Sequence, residues 1–412
     1  MTDLIHTVNM IRNVPHSELR SAVKRVVVIL SSPRSGSSLV KNVLASHPDV
    51  ASLDGEIEPY LVLTRNGFGH NSDCDAIHAL SNENDLVDNI FDDLSVPSVE
   101  WMPLEQLKEQ WKNRILLQFP SLFSKELELV NLNKIVSEIL DKAMASKIFD
   151  EREWQSIILS NIYKKEPWRV SYYDGRFDCG MKGYFDETQK IEEPPFVVPR
   201  HNRRKFTKND VENKTLLFKT PPDAYRIGMY EKLFPNADVK YIHLTRGYAQ
   251  SVNGLIDGWL SPVGFFSHDM KKAELDLNIK GYSDVVEFGK RWWKFELPPN
   301  WREFTVSSLE DVCLNQWIST HQAIIASGVK TLQVHFEEFL STPISVANKI
   351  VNYIGLPEMK FQQPFHFTMI TETPKLMRWK KREAQLLELG KRSEVKDMME
   401  LLEYEMNPET WA

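Results

Sequence analysis

Short apolar runs rich in β-branched residues alternate with amphipathic stretches in two separated parts of the chain. The apolar runs cover residues 25–30, 215–219, 239–245 and 331–336. A stretch with helical periodicity follows each run, for example AQSVNGLIDGW after the third. This alternation is typical of an α/β fold with a parallel sheet, in which sites form at the carboxyl ends of the strands.

Residues 60–214 follow a different pattern. Three segments with apolar residues at helical spacing, WMPLEQLKEQWKNRILLQF, ELELVNLNKIVSEILDKAMA and EREWQSIILSNIY, are joined by polar or proline-rich connectors. We interpret this part as a mostly helical insertion in a domain that spans 25–412, after an N-terminal arm of residues 1–24. The basic stretch 200–208 is interpreted as a solvated loop or, alternatively, as a contact for an acidic substrate or polymer.

Composition and charge narrow the classes of partner. The 412 residues carry 50 basic and 57 acidic side chains, and this net charge of −7 is a poor match for nucleic acid or an anionic membrane. No apolar run approaches the roughly 20 residues that span a bilayer, and residues 1–20 lack the apolar block of a signal peptide. The three cysteines have no metal-ligand spacing, so we expect a cytoplasmic protein without a disulfide framework or a metal site.

The run at 25–30 leads directly into SSPRSGSS, a loop of small residues before a helical pattern. Backbone N–H groups of such a loop and the positive end of the following helix dipole bind phosphate or sulfate. Arg34 can add a bidentate, charge-assisted contact, and Ser37 and Ser38 can add hydroxyl donors. The ATP-type signature G-x-x-x-x-G-K-[ST] is not met, because the loop opens with serine and lacks the late lysine. The sequence therefore predicts a P-loop-type, three-layer α/β fold with an anion-binding loop.

SSPRSGSSLVKNVLASHPDV resembles the 5′-phosphosulfate loop of sulfotransferases that use 3′-phosphoadenosine 5′-phosphosulfate (PAPS). It is most similar to the branch with a P-R-S-G-[TS]-[TS]-L core, which includes tyrosylprotein and bacterial small-molecule sulfotransferases. Three further segments resemble this family in order and spacing: LLFKTPPDAYRIGMYEKLFPNADVKYIHLTR, WISTHQAIIASGVKTLQVHFEEFLSTPISVANKIVNYIGLP and TPKLMRWKKREAQ. The resemblance covers roughly 25–60 and 215–405 and leaves the insertion unmatched.

The resemblance implies a binding site for the nucleotide. Its 5′ end is expected to contact the loop residues Ser32, Pro33, Arg34, Ser35, Gly36, Ser37 and Ser38. Arg246 matches the family arginine that binds the 3′-phosphate, but Gly254 stands where a serine is usual, with Asn253 or Ser251 as candidate substitutes. The C-terminal basic loop is expected to clamp the phosphates through Trp379, Lys380 and Arg382.

Sulfuryl transfer, like phosphoryl transfer, needs a base for the acceptor and positive charge for the transferred and departing groups. Glu56 matches the glutamate of the resembling branch when a one-residue shift is allowed. His47, before a proline at the predicted helix end, is the rival base or, alternatively, a helix cap. Lys219 matches the family lysine that contacts the transferring group, and Arg34 is the second cation proposed for the leaving group.

These observations predict a PAPS-dependent sulfotransferase that sulfates a hydroxyl or amine of a small specialised metabolite without a metal ion. The insertion at 60–214 is expected to cover the acceptor site. A P-loop kinase or nucleotide hydrolase is the first alternative. The second is a catalytically inactive nucleotide-binding protein of the same fold, which Gly254 keeps open.

Overall fold

A seven-stranded, mostly parallel sheet forms the centre of the protein. The computed structural model describes residues 3–146, 150–174, 191–193, 196–262, 264–361 and 377–411. The strands in these residues are β1 Arg25–Leu30, β2 Val50–Ser52, β3 Ser95–Pro97, β4 Arg203–Lys205, β5 Thr215–Lys219, β6 Asp238–Thr245, β7 Phe266–Asp269, β8 Trp292–Lys294 and β9 Thr331–His335. The main sheet has the order β4-β3-β2-β5-β1-β6-β9, and β7 and β8 form a separate antiparallel pair.

Five neighbouring strands of the main sheet, β2, β5, β1, β6 and β9, are parallel. In their register Ile29 of β1 lies beside Lys219 of β5 and Ile242 of β6. The four strands predicted from the apolar runs are therefore confirmed, with ends shifted by at most one residue. β3 and β4 pair antiparallel at one edge and belong to the insertion.

Helices cover both faces of the sheet and also form much of the described part of residues 60–214. The α-helices of the described residues are α1 Leu4–Arg12, α2 Ser37–Leu44, α3 Glu58–Leu63, α4 Glu83–Asp93, α5 Leu104–Gln118, α6 Pro120–Phe123, α7 Glu126–Ser146, α8 Glu151–Ile162, α9 Ser171–Asp174, α10 Lys208–Val211, α11 Met229–Leu233, α12 Tyr248–Leu260, α13 Leu309–Ala326, α14 Phe336–Ser341, α15 Pro343–Ile354, α16 Glu383–Leu389 and α17 Ser393–Leu401. Among these helices, none combines the length and hydrophobicity needed to cross a bilayer.

Alternate residues of β1 point into two separate hydrophobic cores. Val26, Val28 and Leu30 belong to the larger core, which also contains buried residues of α12 and α13. Val27 and Ile29 belong to the smaller core, to which α2 and α15 contribute. Because successive side chains of a strand face opposite sides and both sides are covered, β1 is apolar and buried from Val26 to Leu30. The predicted three-layer α/β class is thus confirmed.

In their described part, residues 60–214 form mostly helices, and they also add two short strands to the sheet. The interpretation of residues 200–208 as a solvated loop is wrong, because 203–205 form β4. Arg203 is buried, and its Nε donates to Ser95 Oγ at 2.6 Å. Arg204 makes two hydrogen bonds to Asp210, of 2.6 and 2.7 Å. The cations of this stretch stabilise the edge of the sheet.

Two buried histidines connect β6 to α13. His243 Nε2 and His321 Nδ1 lie 2.8 Å apart. Burial lowers the pKa of His243 to about 4, with a contribution from the charge of His335. Burial also lowers the pKa of His321 well below its ordinary value, and His243 adds to this effect. Both imidazoles therefore stay neutral in the folded protein at a pH where exposed histidines bind protons.

We expect the free energy of unfolding to fall as the pH is lowered from about 7 to about 5. The unfolded chain binds protons below the ordinary histidine pKa of about 6.5, whereas the folded chain resists protonation of this pair. The loss amounts to at most about 1.4 kcal/mol per pH unit for each histidine. Urea unfolding at several pH values measures it. His321→Asn should reduce the pH slope, whereas the same change at exposed His78 should not; equal slopes in both variants would contradict this account.

Candidate functional site

The loop between β1 and α2 forms a tight turn at the carboxyl edge of the sheet. Ser35 Oγ donates to the carbonyl oxygen of Ser32 at 2.6 Å and lies 2.7 Å from Ser32 Oγ. Gly36 has a φ of +82°, and a Cβ at this position would overlap the ring of Phe336. Both the backbone conformation and the space therefore require glycine here.

Helix α2 begins directly after this turn. Ser37 and Ser38 are its first two residues, so their hydroxyls lie at the end where the helix dipole favours an anion. Pro33 and Arg34 occupy the turn itself, and Arg34 has a φ of +66°, which is uncommon for a residue other than glycine. The predicted loop residues thus form one continuous turn and helix start.

Lys219 and Glu56 meet at the carboxyl ends of β5 and β2. Lys219 Nζ lies 2.5 Å from Glu56 Oε1, and the two side chains are 7% and 32% exposed. Because Lys219 is in register with Ile29, near the end of β1, the pair lies next to the start of the loop. A buried ammonium is costly without a counter-ion, and Glu56 supplies it. The structure therefore brings together the two residues that the sequence suggests for proton removal and charge stabilisation.

The segment between β2 and α3, which carries Glu56, is held by neighbours on several elements. Lys41 Nζ donates to the carbonyl oxygens of Leu53 and Asp54, the latter at 3.2 Å. The Asp54 carboxylate lies 3.5 Å from Arg203 Nε. Burial alone would raise the pKa of Asp54, but Arg203, Arg200 and Lys41 bring it below the ordinary value. Asp54 is thus an ionised structural partner next to the predicted base.

Two arginines lie against each other and against aromatic rings beside the loop. Arg246 Nη1 donates to the carbonyl oxygen of Arg34 at 2.9 Å. The Arg34 guanidinium lies 5.2 Å from the centre of the Phe265 ring, and that of Arg246 lies 5.2 Å from the Phe336 ring. Arg246, at the end of β6, therefore joins the loop as the resemblance implies, and both guanidinium groups are oriented by cation–π contacts.

Positive charge is concentrated at this position. Burial, together with the charges of Arg246 and Arg378 and against the opposing effect of Asp257, lowers the pKa of Arg34 to about 10. Burial also lowers the pKa of Arg246, while Glu337 acts in the opposite direction. Guanidinium groups that destabilise one another's charged forms favour an anion between them. The electrostatics of the loop thus fit a phosphate or sulfate ligand.

Gly254 of α12 packs directly against Arg34. A Cβ built at Gly254 would lie 3.1 Å from Arg34 Cβ and 3.6 Å from its Cγ. The missing serine therefore leaves no empty place, because the arginine side chain fills the space. Of the two candidate substitutes, Ser251 Oγ donates to the Arg246 carbonyl oxygen at 3.3 Å, and Asn253 Oδ1 accepts from Arg382 Nη1 at 2.5 Å.

The C-terminal basic segment is tied to α12 through Asp257. Arg378 Nη2, Lys381 Nζ and Arg382 Nη1 lie 2.9, 2.7 and 2.9 Å from the Asp257 carboxylate oxygens. Arg382 also bonds to Asn253, which brings it to the helix that carries Gly254. The segment is therefore placed near the loop, as the resemblance implies. Residues 373–376 of the same motif lie outside the described residues.

Two other residues of the predicted clamp are placed differently. Trp379 is 1% exposed, and its indole Nε1 donates to the Trp411 carbonyl oxygen at 2.8 Å. Its ring belongs to the larger core, so the geometry does not favour the predicted contact with the nucleotide. Lys380 is exposed to solvent. Within this short basic run, Trp379 therefore packs in the core, whereas Lys380 lies on the surface.

The geometry contradicts the interpretation of His47 as a base. His47 is buried, its Nδ1 accepts from the Asp49 N–H at 3.0 Å, and its Nε2 donates to the Pro357 carbonyl oxygen at 2.9 Å. His47 precedes β2, which begins beside Thr215, the first residue of β5. Lys219 is the last residue of β5, and four residues of strand place it about 13 Å from Thr215. His47 is therefore a structural residue at the opposite edge of the sheet.

Sequence reasoning missed a buried charged network next to Glu56. Arg226 donates to the Glu58 carboxylate and, through Nε, to the Asp75 carbonyl oxygen at 2.7 Å. Asp75 Oδ1 lies 2.9 Å from His268 Nε2. Burial raises the pKa of Glu58, and Arg226 only partly offsets this while Asp75 and Glu56 add to it. The partners lie more than 150 residues apart along the chain, so no local signal marks them.

Within the part of the chain that the structure describes, no three His, Cys, Asp or Glu side chains are grouped in a way that would hold a metal ion.

Comparison with known proteins identifies the family. A model of the sulfotransferase family matches residues 26–256, more than half of the chain. The match includes the loop, Glu56, Lys219, Arg246 and Gly254. The chain therefore belongs to the sulfotransferase family. Comparison with curated proteins gives no significant match.

Solved structures similar to this chain include three bacterial-type sulfotransferase structures. The sulfotransferase domain from the curacin biosynthetic pathway is 14% identical, with 93% of this chain and 99% of that chain covered and a TM-score of 0.34. The sulfotransferase domain of the Synechococcus PCC 7002 olefin synthase is 14% identical, with coverages of 81% and 74% and a TM-score of 0.30. Sulfotransferase STF9 from Mycobacterium avium is 11% identical, with coverages of 86% and 68% and a TM-score of 0.31.

We expect Gly254→Ala to weaken anion binding several-fold with little effect on stability. The added Cβ presses on Arg34 at 3.1 Å, while alanine suits a helix interior better than glycine by up to about 1 kcal/mol. Calorimetric titration with 3′-phosphoadenosine 5′-phosphate and thermal unfolding measure the two effects. Gly247→Ala is the matched control, because a Cβ there comes no closer than 3.7 Å to other atoms. Equal affinities in both variants would show that Arg34 does not depend on this glycine.

Proposed function

We propose that this protein transfers the sulfuryl group of PAPS to a hydroxyl or amine of a small-molecule acceptor and releases 3′-phosphoadenosine 5′-phosphate. The observation that carries the proposal is the pair of Lys219 and Glu56, 2.5 Å apart, beside the loop at the carboxyl edge of the sheet. Proton removal needs a carboxylate that the acceptor can reach, and group transfer needs a cation at the same place.

The residues around the loop fit a nucleotide with an anion at each end. The turn at Ser32–Ser38 with the N-terminal end of α2 would hold the 5′ end. Arg246 and Arg382 would hold the 3′-phosphate. Arg246 donates to the loop residue Arg34, and Arg382 donates to Asn253 of α12. Burial and, after it, repulsion from Arg246 lower the pKa of Arg34 to about 10, and an anion between Arg34 and Arg246 would relieve the repulsion. When bound, PAPS supplies an activated sulfuryl group attached to a phosphate that can leave.

Glu56 is the base of the proposed reaction. Its carboxylate is 32% exposed, so an acceptor hydroxyl or amine can reach it and give up a proton. Lys219, whose side chain is 7% exposed, directs its ammonium charge at the place where negative charge develops. Arg34 contributes a second cation from the loop. Both cations are already oriented by their contacts, so little reorganisation is needed during transfer.

The insertion limits the space on the acceptor side. A Cβ at Gly55, the neighbour of Glu56, would lie 3.3 Å from Arg114 Nη2 and 3.3 Å from Val197 Cγ2. Both residues belong to the insertion, which therefore packs against the segment of the base. We infer an acceptor of small size, and the net charge of −7 disfavours a polymer that already carries sulfate groups.

The cytoplasm is the proposed compartment. Cys74 and Cys313, the cysteines of the described residues, are free thiols, as expected in a reducing environment.

A kinase or nucleotide hydrolase is less well supported. The loop lacks the G-K-[ST] pair that holds the nucleotide phosphates and Mg²⁺ in such enzymes. An inactive nucleotide-binding protein is disfavoured by the preserved pair of Lys219 and Glu56 and by the packing of Gly254 against Arg34.

Turnover of labelled PAPS against a panel of alcohols, phenols and amines tests the proposal. Thermal unfolding with and without 3′-phosphoadenosine 5′-phosphate, in the presence of a chelator, tests nucleotide binding separately. We expect stabilisation by this nucleotide without Mg²⁺. Stabilisation by Mg-ATP alone would favour the kinase, and nucleotide binding without turnover across the panel would favour the inactive protein.

Glu56→Gln and Lys219→Met should each reduce kcat by at least about a hundredfold, in line with the loss of a catalytic base or of a preorganised cation. Affinity for 3′-phosphoadenosine 5′-phosphate should change much less. Steady-state kinetics and calorimetry measure both quantities. Lys214→Met, just before the opposite end of β5, controls for the loss of a lysine beside a carboxylate, because Lys214 Nζ lies 3.5 Å from Asp49 Oδ1. Undiminished activity in both site variants would reject these roles.

A further inference from the structure

Lys41 is a buried lysine that the proposed reaction does not use. It lies one helical turn after Ser37, the first residue of α2, and it is 5% exposed. Its Nζ donates to the carbonyl oxygens of Leu53 and Asp54, on the segment that leads to Glu56. One side chain therefore connects the helix of the anion-binding loop with the backbone of the base segment.

The surroundings of the Lys41 ammonium group disfavour its charged form. Burial, together with the charges of Arg203, Arg200 and Lys219 and against the attraction of Asp54, lowers the pKa of Lys41 to about 7. A methionine or leucine would fill the same volume without this electrostatic cost. A lysine is thus unfavourable here for packing alone, and its contribution is the pair of hydrogen bonds to the two carbonyl groups.

We propose that Lys41 is a positioning residue that fixes the Glu56 carboxylate relative to the anion-binding loop. The inference deepens the proposed function, since it assumes that Glu56 acts as the base. Glu56 follows Asp54 by two residues. On its other side, the N–H of the next residue, Ile57, donates to Thr220 Oγ1 at 3.3 Å. Lys41 holds one end of this short segment and Thr220, next to Lys219, holds the other.

This arrangement connects the anion site with the base through a single helix. Gly36 and Ser37 place the start of α2 at the anion, and Lys41 extends from the same helix to the base segment. A displacement of α2 would therefore move the carbonyl partners of Lys41, and with them Glu56. Removal of the ammonium should loosen the base segment while the loop, whose contacts are to Phe336 and Arg246, stays in place.

The test compares Lys41→Met with the wild-type protein. Hydrogen exchange of the nucleotide-free protein should increase in peptides that cover 53–57 and stay unchanged in peptides that cover 31–38. With PAPS and an acceptor, kcat should fall at least tenfold, whereas the Kd of 3′-phosphoadenosine 5′-phosphate should change less than twofold. Lys41→Arg, which keeps the charge and the donors, should recover part of kcat.

Lys214→Met is the matched control, because Lys214 Nζ also donates to a backbone carbonyl, that of Pro48, at 2.8 Å. It should leave exchange at 53–57 and kcat unchanged. If Lys41→Met does not fold, Lys41→Gln, which keeps amide donors on a shorter side chain, is judged by the same criteria.

Two results would overturn the inference. One is unchanged exchange at 53–57 together with unchanged kcat. The other is an equal loss of nucleotide affinity and kcat, which would place Lys41 in the nucleotide site. Failure of the proposed function is distinguishable, because the wild-type protein would then show no PAPS turnover. In that case hydrogen exchange at 53–57 in Lys41→Met would still show whether Lys41 stabilises this segment.

Discussion

The ammonium of Lys219, buried at the end of β5, is stabilised by the carboxylate of Glu56 from the end of β2, and the candidate site depends on this ion pair. Loss of one partner would leave the other as an uncompensated charge, which typically costs 3–5 kcal/mol for a buried pair, less where one partner is partly exposed as Glu56 is. The strand order β2-β5-β1 makes the pair possible, because it places these strand ends side by side with the loop that follows β1. The proposed base, its cation and the proposed anion-binding turn are therefore neighbours because of the topology of the sheet.

Charges around the site are separated into two groups. On the proposed nucleotide side, Arg34, Arg246 and the C-terminal segment concentrate positive charge, and Asp257 is the carboxylate that binds the segment to α12. On the proposed acceptor side, cations and carboxylates alternate, as in Arg203 with Asp54 and Arg226 with Glu58. The first group suits a ligand with several negative charges, and the second is internally neutralised. This separation matches a reaction in which a polyanionic donor meets a less charged acceptor.

Errors of the sequence interpretation share one physical cause. His47, Trp379 and the stretch at 200–208 were interpreted from residue type and local context, but the structure gives each of them a partner that is remote in the sequence. His47 bonds to Pro357, Arg203 lies beside Asp54, and Trp379 bonds to Trp411 in the core. A polar or aromatic residue in an unmatched or charged stretch looks accessible when its partners are unknown. Burial and pairing depend on chain segments that no local pattern connects.

The sequence by itself determined the strands of the parallel sheet, helices that cover it and the glycine turn at Gly36, because these follow from periodicity and glycine geometry. The roles of Glu56, Lys219 and Arg246 come from the family resemblance and stay predictions. The tertiary structure alone decided which edge of the sheet His47 occupies, how Gly254 accommodates Arg34, and that Lys41 and Arg226 support the segment around Glu56. Contacts of this kind join residues far apart along the chain, and their energies depend on burial and distance, which exist only once the chain has folded.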